Sequence, residues 1–156
     1  ITSLMRALGA SVTDHPFMSD WAAEMGQKVF YPPSVFSYFS PGFRVRGTGV
    51  PPLVGPEFQT YTSVTALTRA NFIGQLLGGW FGGSVTVDYT PFTSRARDAA
   101  ALTDYCNLVF LGGRMSAAER AEIIAAVRSV PITSVRERTR TALYLTLVAA
   151  QAQVDW

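Results

Sequence analysis

Residues Ser134–Gln151 read SVRERTRTALYLTLVAAQ, and the reading of this stretch decides the fold. Ser134 followed three residues later by Glu137 is a capping-box pattern, which opens a helix by satisfying two backbone N–H groups reciprocally. The later half, ALYLTLVAA, is apolar nearly all round. A helix without a polar face is buried on every side, so this stretch predicts a central helix on which the rest packs. Arg136, Arg138 and Arg140 crowd its first turns, where cations oppose the helix dipole. Glu137 offsets one of them through an i,i+3 contact with Arg140. The remaining positive charge is read as a solvated face, with docking on a partner as the alternative.

Working outward, the neighbouring patterns are also helical. Ser116-Ala117-Ala118-Glu119 is another capping box. Behind it Ile123, Ile124 and Val127 face inward, Arg120, Glu122 and Arg128 face water, and Pro131 ends the helix. Before it, Thr93 or Ser94 is the expected cap of a helix whose inner face is Ala99, Leu102, Cys106, Val109 and Phe110. Gly112-Gly113 close that helix, as a left-handed cap requires. Further upstream a helix starts at Thr62 or Ser63. Ala66, Ala70, Ile73, Leu77 and Trp80 follow the spacing of one buried face, and GGWFGG ends it. SVTVDYT (84–90) alternates like a strand, but a lone strand has no partner, so extended loop is expected. At the front, ITSLMRAL closes at Gly9. Asp14, before His15-Pro16, starts a helix on which Phe17, Trp21 and Met25 share a face, and Gly26 stops it.

Between them no helical period survives from about 27 to 61. Prolines and glycines punctuate this region, and YPPSVFSYFSPGF (Tyr31–Phe43) packs five aromatics into it. Pro32-Pro33 fix an extended path, and Ser40-Pro41-Gly42 fits a turn. Aromatics in this density argue for a segment that packs itself. The expectation is a mainly α protein: a single domain over residues 1–156, five or six helices, and one long ordered Pro/Gly/aromatic loop at about 27–61.

Composition narrows the chemistry. The chain is 48% hydrophobic and 15% charged, with a net charge of +2, and no basic run offers a nucleic-acid footprint. No nucleic-acid partner and no membrane span are expected, because the longest apolar stretches are too short to cross a bilayer. The single cysteine, Cys106, falls on an apolar helix face and reads as core filler, and no disulfide is available to it. The single histidine, His15, reads as a surface or capping-region residue, so neither a His-based zinc site nor a triad is expected. No cofactor-binding glycine motif is present, and no metal or other cofactor is expected. Arg114, after Gly112-Gly113, belongs to a helix–helix turn more readily than to an anion site. Among the carboxylates, Glu57 in GPEFQ is singled out. A buried carboxylate needs a partner, and Arg44, Arg46 or Arg69 supplies one.

Four stretches then resemble a known bacterial family: SLMRALGA (Ser3–Ala10), MGQKVFYPPSVFSYFSP (Met25–Pro41), TALTRANFIGQLL (Thr65–Leu77) and RTRTALYLTLVAAQAQV (Arg138–Val154). Together they resemble the C-terminal part of the family catalogued as domain of unknown function 1800. Phe36-Ser37-Tyr38 departs from the Gly-Trp that many members carry after the Pro-Pro-x-Val stretch. The resemblance implies a longer, largely helical protein exported to the periplasm or beyond, with this chain as its C-terminal piece. The start at Ile1 fits that expectation. The leading functional expectation is a non-catalytic binding or assembly module. Its partners are the missing N-terminal portion, a carbohydrate or another exported protein. Tyr31, Tyr38, Arg44, Arg46, Glu57 and Arg69 are the expected binding residues. The alternative is part of a hydrolase acting on polysaccharide or its esters, with Glu57 and the arginines as its anion-handling core.

Overall fold

The computed structural model describes residues 1–13, 18–28, 30–32, 39–45, 54–149 and 151–152, the side chain of Glu57 excepted. The expected helix start at Asp14-His15-Pro16, Phe17 and residues 33–38 of the proline–aromatic stretch lie outside them. Among the described residues the chain is mainly helical. The elements are α1 (Thr2–Ala7), β1 (Ser11–Val12), α2 (Met18–Glu24), α3 (Pro56–Thr60), α4 (Ser63–Gly78), β2 (Val85–Thr86), α5 (Thr90–Thr93), α6 (Ala99–Leu111), α7 (Ala117–Ser129) and α8 (Val135–Val148). These eight helices exceed the expected five or six because α3 and α5 are single turns that carry no period to read. The chain divides into two compact units, His15–Phe72 and the remainder, Ile1–Asp14 with Ile73–Trp156.

The smaller unit holds α2, α3 and the first turns of α4. Gly26, with φ +83°, ends α2 in a left-handed turn; its N–H bonds Ala23 O and that of Gln27 bonds Ala22 O. Thr62 caps α4: its hydroxyl accepts from Thr65 N at 3.2 Å, while Thr65 Oγ1 accepts from Thr62 N at 2.8 Å. Trp21 and Phe72 meet as tilted rings with centroids 5.4 Å apart. Within the expected long loop, Phe43 N bonds Ser40 O, so Ser40-Pro41-Gly42 does form a turn. Gln59 Oε1 accepts from Ser40 N at 2.8 Å, and Arg44 and Val54 form an isolated bridge.

The larger unit is organised by α8, which packs against both α6 and α7, while these two also pack on each other. Its core comprises Leu102, Cys106 and Phe110 of α6, Ile123, Ile124 and Val127 of α7, and Ala142, Leu143 and Leu147 of α8. Phe92 of α5 stacks on Phe110 with centroids 5.9 Å apart and meets Tyr105 edge-on. The capping box at Ser116 forms as expected, with Glu119 N bonding Ser116 Oγ and Ser116 N bonding Glu119 Oε2. Gly112 and Gly113 close α6 at φ +59° and +81°.

Four local expectations are corrected here. The SVTVDYT segment does pair: β2 runs antiparallel to β1, with Ser11 opposite Thr86 and Val12 opposite Val85. The partner is only two residues long and far away in sequence, so no local pattern announces it. The cap of α6 is Asp98, whose carboxylate accepts from Ala100 N and Ala101 N. The hydroxyls of Thr93 and Ser94 turn back to Thr90 O and Pro91 O instead. Ser134 makes no capping box, because its N–H is already given to Pro131 O at 2.9 Å and Glu137 reaches Arg140. Trp80 leaves the buried face: α4 stops at Gly78, Gly79 adopts φ +75°, and the indole beyond that turn is 80% exposed.

The arginine run of α8 splits by helical geometry. Residues two apart on a helix point to opposite sides. Arg136 is accordingly exposed and Arg140 half-exposed, but Arg138 is only 4% exposed. Its Nε donates to Ala96 O at 2.6 Å and its Nη1 to Val130 O at 2.8 Å. Val130 follows the last residue of α7, where carbonyls lack helical donors and carry the negative end of the dipole. The solvated-face expectation therefore fails for Arg138, which ties the turn before α6 and the end of α7 to α8.

Removing that tie as Arg138→Ala strands two carbonyls, and urea unfolding is expected to show a loss of about 2–4 kcal/mol. Arg138→Lys, with one ammonium for two separate acceptors, is expected to recover less than half of it. Thr146 offers the opposite case. Its Oγ1 is the one buried side-chain oxygen or nitrogen without a hydrogen-bond partner among the described residues, and only a thiol, that of Cys106, is set against it. A thiol is a weak partner. Thr146→Val keeps the shape and removes the stranded hydroxyl, so unfolding should show a gain of about 1 kcal/mol.

Candidate functional site

With Arg138 turned inward, the register of α8 sends a fixed stripe outward. Glu137, Arg140, Thr141, Tyr144 and Leu145 follow i, i+3, i+4, i+7 and i+8, the positions of one helical face. Together with Gly74 and Leu77 from the end of α4, they line a groove of about 260 Å³. Leu77 is buried beneath it, and Tyr144 stands at its edge, 37% exposed. The Tyr144 ring lies against α4 at Gly74, where an added Cβ would meet its Cε2 at 3.7 Å, an ordinary contact distance. The helix is thus amphipathic on its outer side, not apolar all round as its sequence suggests.

Trp80 is set beside this groove by two glycines. Gly79 supplies the left-handed turn, and Trp80 N reaches back to Gln75 O at 3.1 Å. Gly78 has no Cβ to obstruct the indole: a Cβ there would lie 2.8 Å from Trp80 Cδ1, 3.2 Å from Nε1 and 3.6 Å from Arg140 Nη2. The edge of the indole and the Arg140 guanidinium therefore both border the space over the same glycine, while most of the ring stays in water.

The charge here is mainly positive. Arg140 Nη1 donates to Glu137 Oε1 at 3.4 Å, a long and exposed pair that binds its partner weakly. Tyr89 donates its hydroxyl to Leu77 O at 3.0 Å, occupying one of the last carbonyls of α4. Burial pushes the Tyr89 hydroxyl above its ordinary range, and Arg140 and Arg136 pull the other way. Both arginines thus project their field onto the same corner. The arrangement offers a donor-only group in Arg140, an acceptor-only group in Glu137, a hydroxyl in Thr141 and two aromatic surfaces. Trp80 was misassigned to a buried face, and the signal that finds it is the glycine pair before it.

Of the binding residues expected from sequence, Tyr31, Arg44 and Arg69 are described, and none of them lines this groove. Tyr31 is 68% exposed, with Lys28 Nζ 4.4 Å from its ring centroid. Arg44 is exposed in its bridge with Val54. Arg69 is half-buried, donates from Nη2 to Thr60 Oγ1 at 3.3 Å, and lies over the Tyr61 ring at 5.7 Å. Burial lowers its pKa, with Tyr61 opposing. Arg69 therefore reaches the end of α3, the helix that carries Glu57 in its chain. Tyr38, Arg46 and the Glu57 side chain lie outside the described residues, as does His15. Arg114 donates from Nε to Leu111 O, as a turn residue does. Among the described residues no three of His, Cys, Asp and Glu gather as a metal site would need, and no helix is long and apolar enough to cross a membrane.

A family model described as "Protein of unknown function (DUF1800)" matches residues 1–154, and the chain belongs to that family. Comparison with curated proteins and with solved structures gives no match.

Two outcomes follow from this geometry. Gly78→Ala places a methyl where the indole edge now lies, so Trp80 must swing away. The variant should shift tryptophan emission relative to the parent, and the shift should vanish when both carry Trp80→Phe. Burial pushes the Cys106 thiol up to about 12 from an ordinary 9.0. The folded state holds that proton while the unfolded chain releases it, so stability is full below pH 9 and falls as pH rises toward 12. The urea midpoint should decline over that window less steeply in Cys106→Val than in the parent. A thiol reagent at pH 8 should label Cys106 only after unfolding.

Proposed function

We propose that this member of the DUF1800 family is a helical binding or assembly module of an exported bacterial protein and does no chemistry of its own. Its contact surface is the groove between α4 and α8, and its partner is a carbohydrate or another exported protein. The observation that carries this reading is Trp80, a large aromatic held 80% exposed by Gly78 and Gly79 beside Arg140. Exposed tryptophans cost solubility, and tryptophan and arginine are among the side chains enriched where recognition surfaces concentrate their binding energy. Export is drawn from the family alone.

The test is an array of glycans and peptides probed with the parent chain and with an Arg140→Ala/Tyr144→Ala double variant. Both changes are on the outer stripe of α8, so circular dichroism and unfolding midpoint should match the parent. Binding by the parent, weakened tenfold or more in the double variant, supports the module. Equal binding by both places the contact elsewhere and sinks the groove. Cleavage of an arrayed glycan by the parent overturns the non-catalytic reading.

A further inference from the structure

The groove's chemistry selects among ligands. We infer that it takes one acidic sugar residue, a pyranose bearing a carboxylate, stacked on Trp80 with its carboxylate on Arg140; this rests on the binding-module reading above.

Three observations converge on that ligand. The first is size. The groove's volume of about 260 Å³ falls below the 300–1,000 Å³ usual for drug-sized ligands and Trp80 stands beside its lining, so the two together suit one small ring better than a stretch of peptide. The second is the indole. Its face carries the negative lobe of the ring quadrupole, which attracts the weakly positive C–H bonds lining one side of a pyranose. The ring lies edge-on over Gly78, which leaves most of it in water and open to a ligand.

The third is the pattern of polar groups. This stretch of α8 carries two exposed or half-exposed arginines, Arg136 and Arg140, to one carboxylate, Glu137, which pairs with Arg140, and Tyr89 feels both arginines. A guanidinium grips a carboxylate through two parallel N–H donors, which neither a neutral sugar nor a hydroxyl can match. The contact between Arg140 and Glu137 is long at 3.4 Å, so an incoming carboxylate replaces little. Freed, Glu137 accepts from sugar hydroxyls, and Thr141 both donates and accepts. An acidic peptide satisfies Arg140 equally well but offers no ring face to Trp80 and few donors to Glu137.

The experiment is calorimetric titration of the full chain with three probes of matched length: a glucuronic-acid oligosaccharide, a neutral glucose oligosaccharide and a polyglutamate peptide. The acidic saccharide is expected to bind at least tenfold more tightly than either of the others, and to quench tryptophan emission in the parent but not in Trp80→Phe. Arg140→Gln is expected to erase the preference for the acidic saccharide. Gly78→Ala, which displaces the indole, should weaken binding without touching any charge. Preference for the neutral sugar or for the peptide, lost in Arg140→Ala/Tyr144→Ala, overturns the acidic-sugar assignment and leaves the binding module standing. Failure of all three probes, together with no arrayed partner, overturns both.

Discussion

The guanidinium of Arg138 is the constraint from which the larger unit takes its shape. A buried cation ordinarily demands a carboxylate, and among the described residues none pairs with this one. It is held instead by two backbone carbonyls, Ala96 O and Val130 O, contributed by segments that have no helical donors to give them. The arrangement closes two problems together: the charge finds acceptors, and the acceptors find donors. It also fixes α8 in both rotation and height, because a two-pronged bond to separate segments admits one register. The outward stripe from Glu137 to Leu145 follows from that register, so the groove exists because Arg138 is where it is.

Much of this fold was legible where the signals are local. Gly9, Gly26 and Gly112 end helices as their sequence positions suggest, since only glycine takes the left-handed cap without strain. Ser116 and Glu119 form the box their spacing announces, and the inner faces of α6 and α7 are those the period selects. The failures share a physical cause: each depended on competition from outside the pattern. Ser134 has the right neighbour three residues on, but the Pro131 turn takes its N–H first. Thr93 and Ser94 are good capping residues, but their hydroxyls are used one turn back, and Asp98 is left to cap. The strand at Val85 needed a partner seventy residues away in the chain, which no window sees.

The candidate site was less legible than the fold. Three arginines in alternate positions looked like one charged face, yet helical geometry divides them between core and solvent. Nothing in the residues themselves says which member turns inward; that choice belongs to the carbonyls waiting at Ala96 and Val130. Trp80 shows the same limit from another direction. Its spacing from Ile73 and Leu77 continues the buried stripe, and two glycines override that spacing by ending the helix one turn early. Composition alone raised the right question, since a chain so apolar and poorly charged leaves aromatic surface to place.

Burying Arg138 on carbonyls stabilises less than a well-packed apolar residue of similar volume would in a simpler setting, because desolvating a cation is costly. What the arginine adds is specificity: a leucine at 138 fills the space but permits α8 to slide or rotate, and the outward stripe moves with it. Recognition depends on that stripe being still. An aromatic and a guanidinium that must be ordered on binding lose about 0.5–1.5 kcal/mol per side chain, whereas a pair already fixed loses little. Gly78 leaves room for the indole edge and Arg138 holds the helix that carries Arg140, so the guanidinium of the proposed contact is set before a ligand arrives. In the proposed binding reading, the inner arginine of the run thereby governs what the outer ones present, without itself facing the groove.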